Sequence, residues 1–122
     1  MSKLPLADLA WLYTERCNRH AQEEMIGMYE WGISYHSNQY GAVTGLPEVS
    51  RLSSVFFETY PDAHWKVDKV DVLSEDTTQF DFIMRGTDQE TGKRVERKGT
   101  EQLRFSDFGL ITHIDVDIHS VH

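Results

Sequence analysis

At 122 residues the chain is a single domain, long enough to bury a core and too short for two. Twelve Lys and Arg stand against 20 Asp and Glu, and a formal charge of −8 argues against nucleic-acid tracking or adhesion to an anionic membrane, which carboxylates oppose. A single cysteine, Cys17, excludes an intrachain disulfide and suits the reducing cytoplasm, the location expected.

The N-terminal stretch MSKLPLADLAWLYTER is interrupted by Asp8 and Glu15, so neither a secretory leader nor a membrane span is expected in it. From about residue 4 to 19 it reads as an amphipathic helix, with Leu6, Leu9, Ala10, Tyr13 and Cys17 on one face. Pro5 falls in the first turn, where its missing N–H costs nothing. A short second helix is expected over about 21–29, with Glu23 and Glu24 near its positive end and Met25, Met28 and Tyr29 on its apolar side. GISYHSN, residues 32–38, reads as a strand passing into the loop QYGAVTG. A third helix follows over about 46–60, with Pro47 in its first turn, Val49, Leu52, Phe56 and Tyr60 as the buried stripe, and Pro61-Asp62 as its stop.

From His64 onward the period changes to two. HWKVDKVDVL, TTQFDFIMRGT, RVERKGTEQLRFS and LITHIDVDIHS read as four strands joined by SED, DQETG and SDFG turns, an antiparallel meander. The first alternates imperfectly, which a bulge near Asp68 to Val70 would repair. In the last, Leu110, Thr112, Ile114, Val116 and Ile118 share one face, and His113, Asp115, Asp117 and His119 the other. Helices first and long strands after them define an α+β fold: a cone-shaped curved antiparallel sheet with three helices on its concave face. The hollow between the layers is a natural small-ligand site.

Six strings in this order, ERCNRHAQEEMIGMY, ISYHS, VTGLPEV, TYPDAHWKV, GTEQLRF and ITHIDV, resemble the SnoaL-like polyketide cyclases. Those belong to the nuclear transport factor 2-like superfamily, which includes ketosteroid isomerase. One fold there serves enzymes, binding modules and dimerisation domains. Ketosteroid isomerase pairs an Asp base with a Tyr and a protonated Asp that bind the oxyanion. The resemblance puts Tyr13 at the Tyr position, Glu101 at the protonated-Asp position and Ser37 where the base should be. A serine without a base of its own takes no proton at neutral pH, so that mechanism is not expected. The cyclases resembled carry an acid/base Asp in a His-x-Asp string on the final strand, which corresponds here to His113-Ile114-Asp115.

The resemblance therefore implies Asp115 as acid/base, with His113 and Glu101 or Tyr13 stabilising an enolate, on a small apolar carbonyl compound undergoing cyclisation or isomerisation. Each role has a structural alternative. The Asp115 face is either a cavity lining or wet sheet surface; Glu101, flanked by Leu103 and Phe105, is either desolvated or paired with Arg85 or Arg97. Tyr13 is either a core tyrosine or a cavity hydroxyl. Of the alternating Tyr35, His36 and Ser37, the resemblance favours Tyr35 and Ser37 for the pocket and leaves His36 structural or at an interface. Cys17, Phe56, Phe57, Tyr60, Trp65 and Leu103 complete the expected apolar wall, and Cys17, with only His20 nearby, is not expected to be reactive.

No metal or cofactor is expected. His113, Asp115, Asp117 and His119 would span ~20 Å along a strand, too far for one ion. No Gly-rich phosphate loop is present. Epoxide hydrolysis by an Asp-Arg-Asp set, known on this fold, is not evident, because Arg104 alternates away from Glu101. The second class of function is a non-catalytic ligand-binding or dimerisation module. An Asp115 buried at the cavity goes with catalysis, and an Asp115 on an open face goes with the module. A homodimer is expected through the convex sheet face, on the supposition that Thr112, Ile114, Val116 and Ile118 lie there beside Gln102 and Arg104.

Overall fold

A computed structural model describes residues 4–122; the first three residues of the N-terminal stretch read above lie outside it. Helix α1, Leu6–Asn18, starts on Pro5, whose carbonyl accepts from Leu9 N at 3.1 Å, and buries Leu9, Ala10, Tyr13, Thr14 and Cys17. His20 takes the left-handed conformation (φ 55°) that turns the chain into the short α2, Gln22–Ile26. Strand β1, Tyr29–Ser37, and β2, Gly41–Thr44, form a hairpin. Gly45, at φ 95°, then leads into α3, Leu46–Thr59, with Pro47 in its first turn. After β3 (His64–Lys66) and β4 (Asp71–Val72) come the long strands β5 (Thr77–Thr87), β6 (Arg94–Phe105) and β7 (Ile111–Val121).

Among the described residues the sheet has seven strands, in the order β2-β1-β7-β6-β5-β3 with β4 also on β5. All neighbours are antiparallel except β1 and β7, which run parallel and place Tyr35 beside Ile114 and His36 beside Asp115. The β5–β6 ladder is unbroken from Thr77 opposite Arg104 to Thr87 opposite Arg94. Strict alternation therefore turns Phe80, Phe82 and Met84 of β5, with Glu101, Leu103 and Phe105 of β6, toward the helices, where all six are buried. Among the described residues no helix is long and apolar enough to cross a membrane.

Three expectations need correction. Residues 64–73 carry the extra residue expected near Asp68 to Val70 but are not one continuous strand. Lys66 pairs with Ile83 and Asp71 with Gln79, so four residues of the edge face three of β5, and the ladder breaks into β3 and β4. The QYGAVTG loop contains β2, folded back by a turn in which Ser37 Oγ accepts from Gln39 N (3.0 Å) and Tyr40 N (3.3 Å).

The third concerns the faces of β7. Arg104 opposes His113 but Phe105 opposes Ile111, so Thr112 is an extra residue in β7. Ile111 and Ile114 are both buried as a result, and Thr112 does not share their face. Ile114, Val116 and Ile118 turn toward the helices, not toward the convex surface. The apolar row that argued for a partner surface is part of the interior.

Candidate functional site

Between the helical layer and the concave face lies a cavity of about 310 Å³. Tyr13 and Cys17 of α1 form one side, and Phe56, Phe57 and Tyr60 of α3 another. The floor is Phe80, Phe82 and Met84 of β5 with Arg97 and Glu101 of β6; Val116 and Ile118 of β7, with Tyr35 and Ser37 of β1, complete the sheet side. Trp65 closes the wall beside Phe56, ring centroids 5.5 Å apart, and Phe57, 6.0 Å. Its backbone is pinned to the end of α1: Asn18 Nδ2 donates to Trp65 O at 2.9 Å, and Trp65 N donates to Asn18 Oδ1 at 2.7 Å. His20 bonds Ala63 O at 2.7 Å and stacks on Phe57, so two links fasten α1 to the wall.

Among the described residues Glu101 is the only carboxyl in the cavity lining, and it is 7% exposed. Burial penalises its charge and pushes its pKa up to about 8; the neighbouring Tyr13 hydroxyl, donating to the carboxylate, acts the other way. No described cation lies within salt-bridge distance of it. Arg85, one of the two expected partners, pairs with Glu96 at 2.8 Å on the outer face. Burial likewise raises Tyr13, Tyr35 and the Cys17 thiol, each also raised by Glu101, so all three stay protonated at neutral pH and Cys17 is no thiolate nucleophile.

Arg97, the other expected partner, reaches the cavity two alternations along β6 from Glu101. It is 6% exposed, donates from Nη1 to Tyr40 Oη and from Nη2 to Tyr60 Oη at 3.0 Å, and lies over both rings, 5.4 and 5.1 Å from their centroids.

The structure does not bring Asp115 or His113 to this cavity. Both project from the opposite face of β7: Asp115 opposes Gln102, its side chain is 47% exposed, and it accepts from His36 Nδ1 at 3.1 Å. His113 Nδ1 meets Ser34 Oγ at 2.6 Å. The physical reason is the parity of β7. Its apolar set, Ile114, Val116 and Ile118, takes the interior, and the His/Asp set is left for water. Of the remaining expected residues, Tyr13, Cys17, Tyr35, Ser37, Phe56, Phe57, Tyr60, Trp65 and Glu101 line the cavity. Leu103, fully buried, packs in the core beyond it. Ser37 contributes little chemistry, since its oxygen is engaged by the β1–β2 turn.

Sequence reasoning undervalued Arg97, naming it only as a counter-ion for Glu101, although RVERKGTEQ places both on one face. Tyr40 it missed altogether, and a tyrosine in a turn carries no signal of what its hydroxyl reaches. No group of three or more His, Cys, Asp or Glu among the described residues is placed to hold a metal ion.

A curved mixed sheet covered by three helices around an apolar hollow is the cone fold of the nuclear transport factor 2-like proteins. A model of the SnoaL-like domain matches residues 12–114, and the chain belongs to that family. Among solved structures, the epoxide hydrolase/cyclase-like enzyme SalBIII, described in pyran ring formation in the polyether salinomycin, superposes with TM-score 0.85 at 8% identity, over 95% of this chain and 93% of that one. A candidate polyketide cyclase from Xanthomonas campestris pv. campestris gives 0.80 at 17% identity, over 92% and 88%. An NTF2-like protein of unknown function from Exiguobacterium sp. 255-15 gives 0.77 at 15%, over 95% and 99%. At these identities the likeness shows the fold alone. No curated protein matches the chain.

Proposed function

We propose that the protein binds a small, largely apolar carbonyl compound in this cavity, with protonated Glu101 donating a hydrogen bond to the carbonyl oxygen. The observation that carries this reading is a buried carboxyl, held neutral by desolvation, in an otherwise aromatic and aliphatic hollow. A neutral carboxyl is a strong donor to a carbonyl and imposes no charge on an apolar ligand. The test is binding of valerophenone, a neutral aryl ketone, followed by tryptophan fluorescence with Trp65 in the wall. Saturable binding is expected, about ten-fold weaker in Glu101→Leu, which loses the donor. No binding, or equal binding by the variant, would count against the reading.

With Asp115 on the open face, the acid/base role inferred for it loses its geometry, and the binding module becomes the primary reading. Proton transfer on the ligand, of the cyclase or isomerase kind, is the second, favoured by one observation. A carboxyl near pH 8 has both protonation states populated around neutrality, which suits general acid–base work. Hydrogen–deuterium exchange at the carbon beside the ketone, read by NMR, separates the two. If Glu101 transfers the proton, Glu101→Gln slows exchange by about 10² to 10⁴-fold and Asp115→Asn leaves it unchanged. A homodimer through the convex sheet face would join polar ladders rather than the apolar stripe first expected there; sedimentation velocity at micromolar concentration decides whether it forms.

A further inference from the structure

Arg97 has a surplus of donors and no charge to match them. A guanidinium carries five N–H donors. Nη1 and Nη2 each spend one on a tyrosine hydroxyl, while Nε is buried with no hydrogen-bond partner. Among the described residues no carboxylate lies within 4.0 Å of it, in a chain where 20 acidic residues outnumber 12 basic ones. The other described arginines with assigned ion pairs are largely exposed: Arg19, Arg51 and Arg85. Burying an unpaired cation is unfavourable unless something pairs with it. The two tyrosines hold the guanidinium in place by hydrogen bonds and by their ring faces, an arrangement that orients a charge without neutralising it.

Arg97 and Glu101 are four residues apart on one strand, so their backbones stand about 13 Å apart along the cavity floor. Between them Gly99 offers no side chain, and Phe82 lies over it: its Cζ is 2.8 Å from where a Cβ would be. The lining thus has a neutral donor at one pole, an apolar middle and an unpaired cation at the other.

The geometry points to a carboxylate-bearing ligand: an apolar monoanion whose carboxylate is taken by Arg97, while a neutral carbonyl at its far end meets Glu101. This rests on the reading of the cavity as a ligand site. It specifies the ligand's charge and where that charge sits, so keto acids with an apolar spacer are the class expected. Planar guanidinium recognises a carboxylate through its N–H donors, and Arg97 keeps Nη hydrogens beyond the two given to the tyrosines.

The test uses 5-benzoylpentanoate and its methyl ester, which share the ketone, the ring and the chain and differ in charge. Tryptophan fluorescence and thermal shift report binding above pH 6, where the acid is ionised. The expected result is at least ten-fold tighter binding of the carboxylate by the wild type. In Arg97→Met the ratio of the two affinities falls to about one, whatever the change in each, and in Arg97→Lys part of the preference returns. Equal affinity of the wild type for both probes overturns the anion inference while leaving the cavity as a ligand site. Binding of neither probe overturns both. The wild-type comparison needs no variant to fold.

Discussion

At the scale of single residues, Glu101 has a measurable signature that needs no ligand. Its folded pKa of about 8 lies above the ordinary glutamate value of 4.5. Below about pH 4.5 the folded and unfolded states both hold the proton, and the stability is fully present. As pH rises from 4.5 to 8 the unfolded chain has released a proton that the folded one keeps, so the stability linked to it drains away; above 8 nothing further is lost. The whole effect is on the order of 4 kcal/mol for a group this buried. Glu101→Gln has no proton to lose, so the stability difference between wild type and variant should shrink or reverse by most of that amount between pH 5 and pH 8.5, measured by urea melts. Asp62, Asp76, Asp88 and Glu96 are held below their ordinary range by hydrogen bonds, act at more acidic pH, and are common to both proteins. Parallel curves for the two proteins would mean that Glu101 is ionised in the folded state.

At the scale of elements, the close packing of β6 on its neighbours fixes the distance between Arg97 and Glu101. A Cβ at Gly99 would stand 2.6 Å from Asp117 O and 2.8 Å from Phe82 Cζ. The first contact is with backbone in the middle of a ladder and cannot swing aside. Gly99→Ala should therefore cost about 1–3 kcal/mol by overpacking and displace β6 against β7, with ligand binding impaired in whatever folds. Gly32→Ala, whose Cβ meets nothing within 4 Å, is the control and should leave both unchanged. Unchanged stability and binding in Gly99→Ala would show that the strands are free to shift.

Elements are also where the sequence was most and least readable. The helices over 6–18 and 46–59 and the long strands were legible because their apolar periods are long and consistent. Period two correctly sorted Glu101, Leu103 and Phe105 together, and Tyr35 with Ser37. It could not register the extra Thr112, since a bulge leaves no composition signal. The direction of β7 was readable from its own residues: Ile114, Val116 and Ile118 are apolar and His113, Asp115 and Asp117 are not. A motif match sent the polar set inward against that pattern, and burial of the isoleucines prevailed. Cavity walls such as Phe82 and Met84 looked like ordinary core, and both are indeed buried while lining the cavity.

At the scale of the whole molecule, charge and site pull in opposite directions. The formal charge of −8 surrounds a cavity whose inferred anchor for a carboxylate is a single buried Arg97. At about 20 Å from the centre, that total charge repels an approaching monoanion by roughly 1–2 kcal/mol in water before screening. The repulsion is felt on approach, when solvent and salt lie between. Once the carboxylate is seated, the nearby guanidinium dominates and bulk salt screens it little. The screening length falls from about 30 Å at 0.01 M to about 8 Å at 0.15 M, so salt should remove most of the barrier to entry. Stopped-flow fluorescence with 5-benzoylpentanoate should show association speeding up several-fold over that range, with dissociation almost constant. The methyl ester, uncharged, should show neither change. Association that slows with salt would mean that a positive surface near the entrance, rather than the overall charge, governs approach. Dissociation that quickens several-fold with salt would mean that the carboxylate is seated in solvent, away from the buried Arg97.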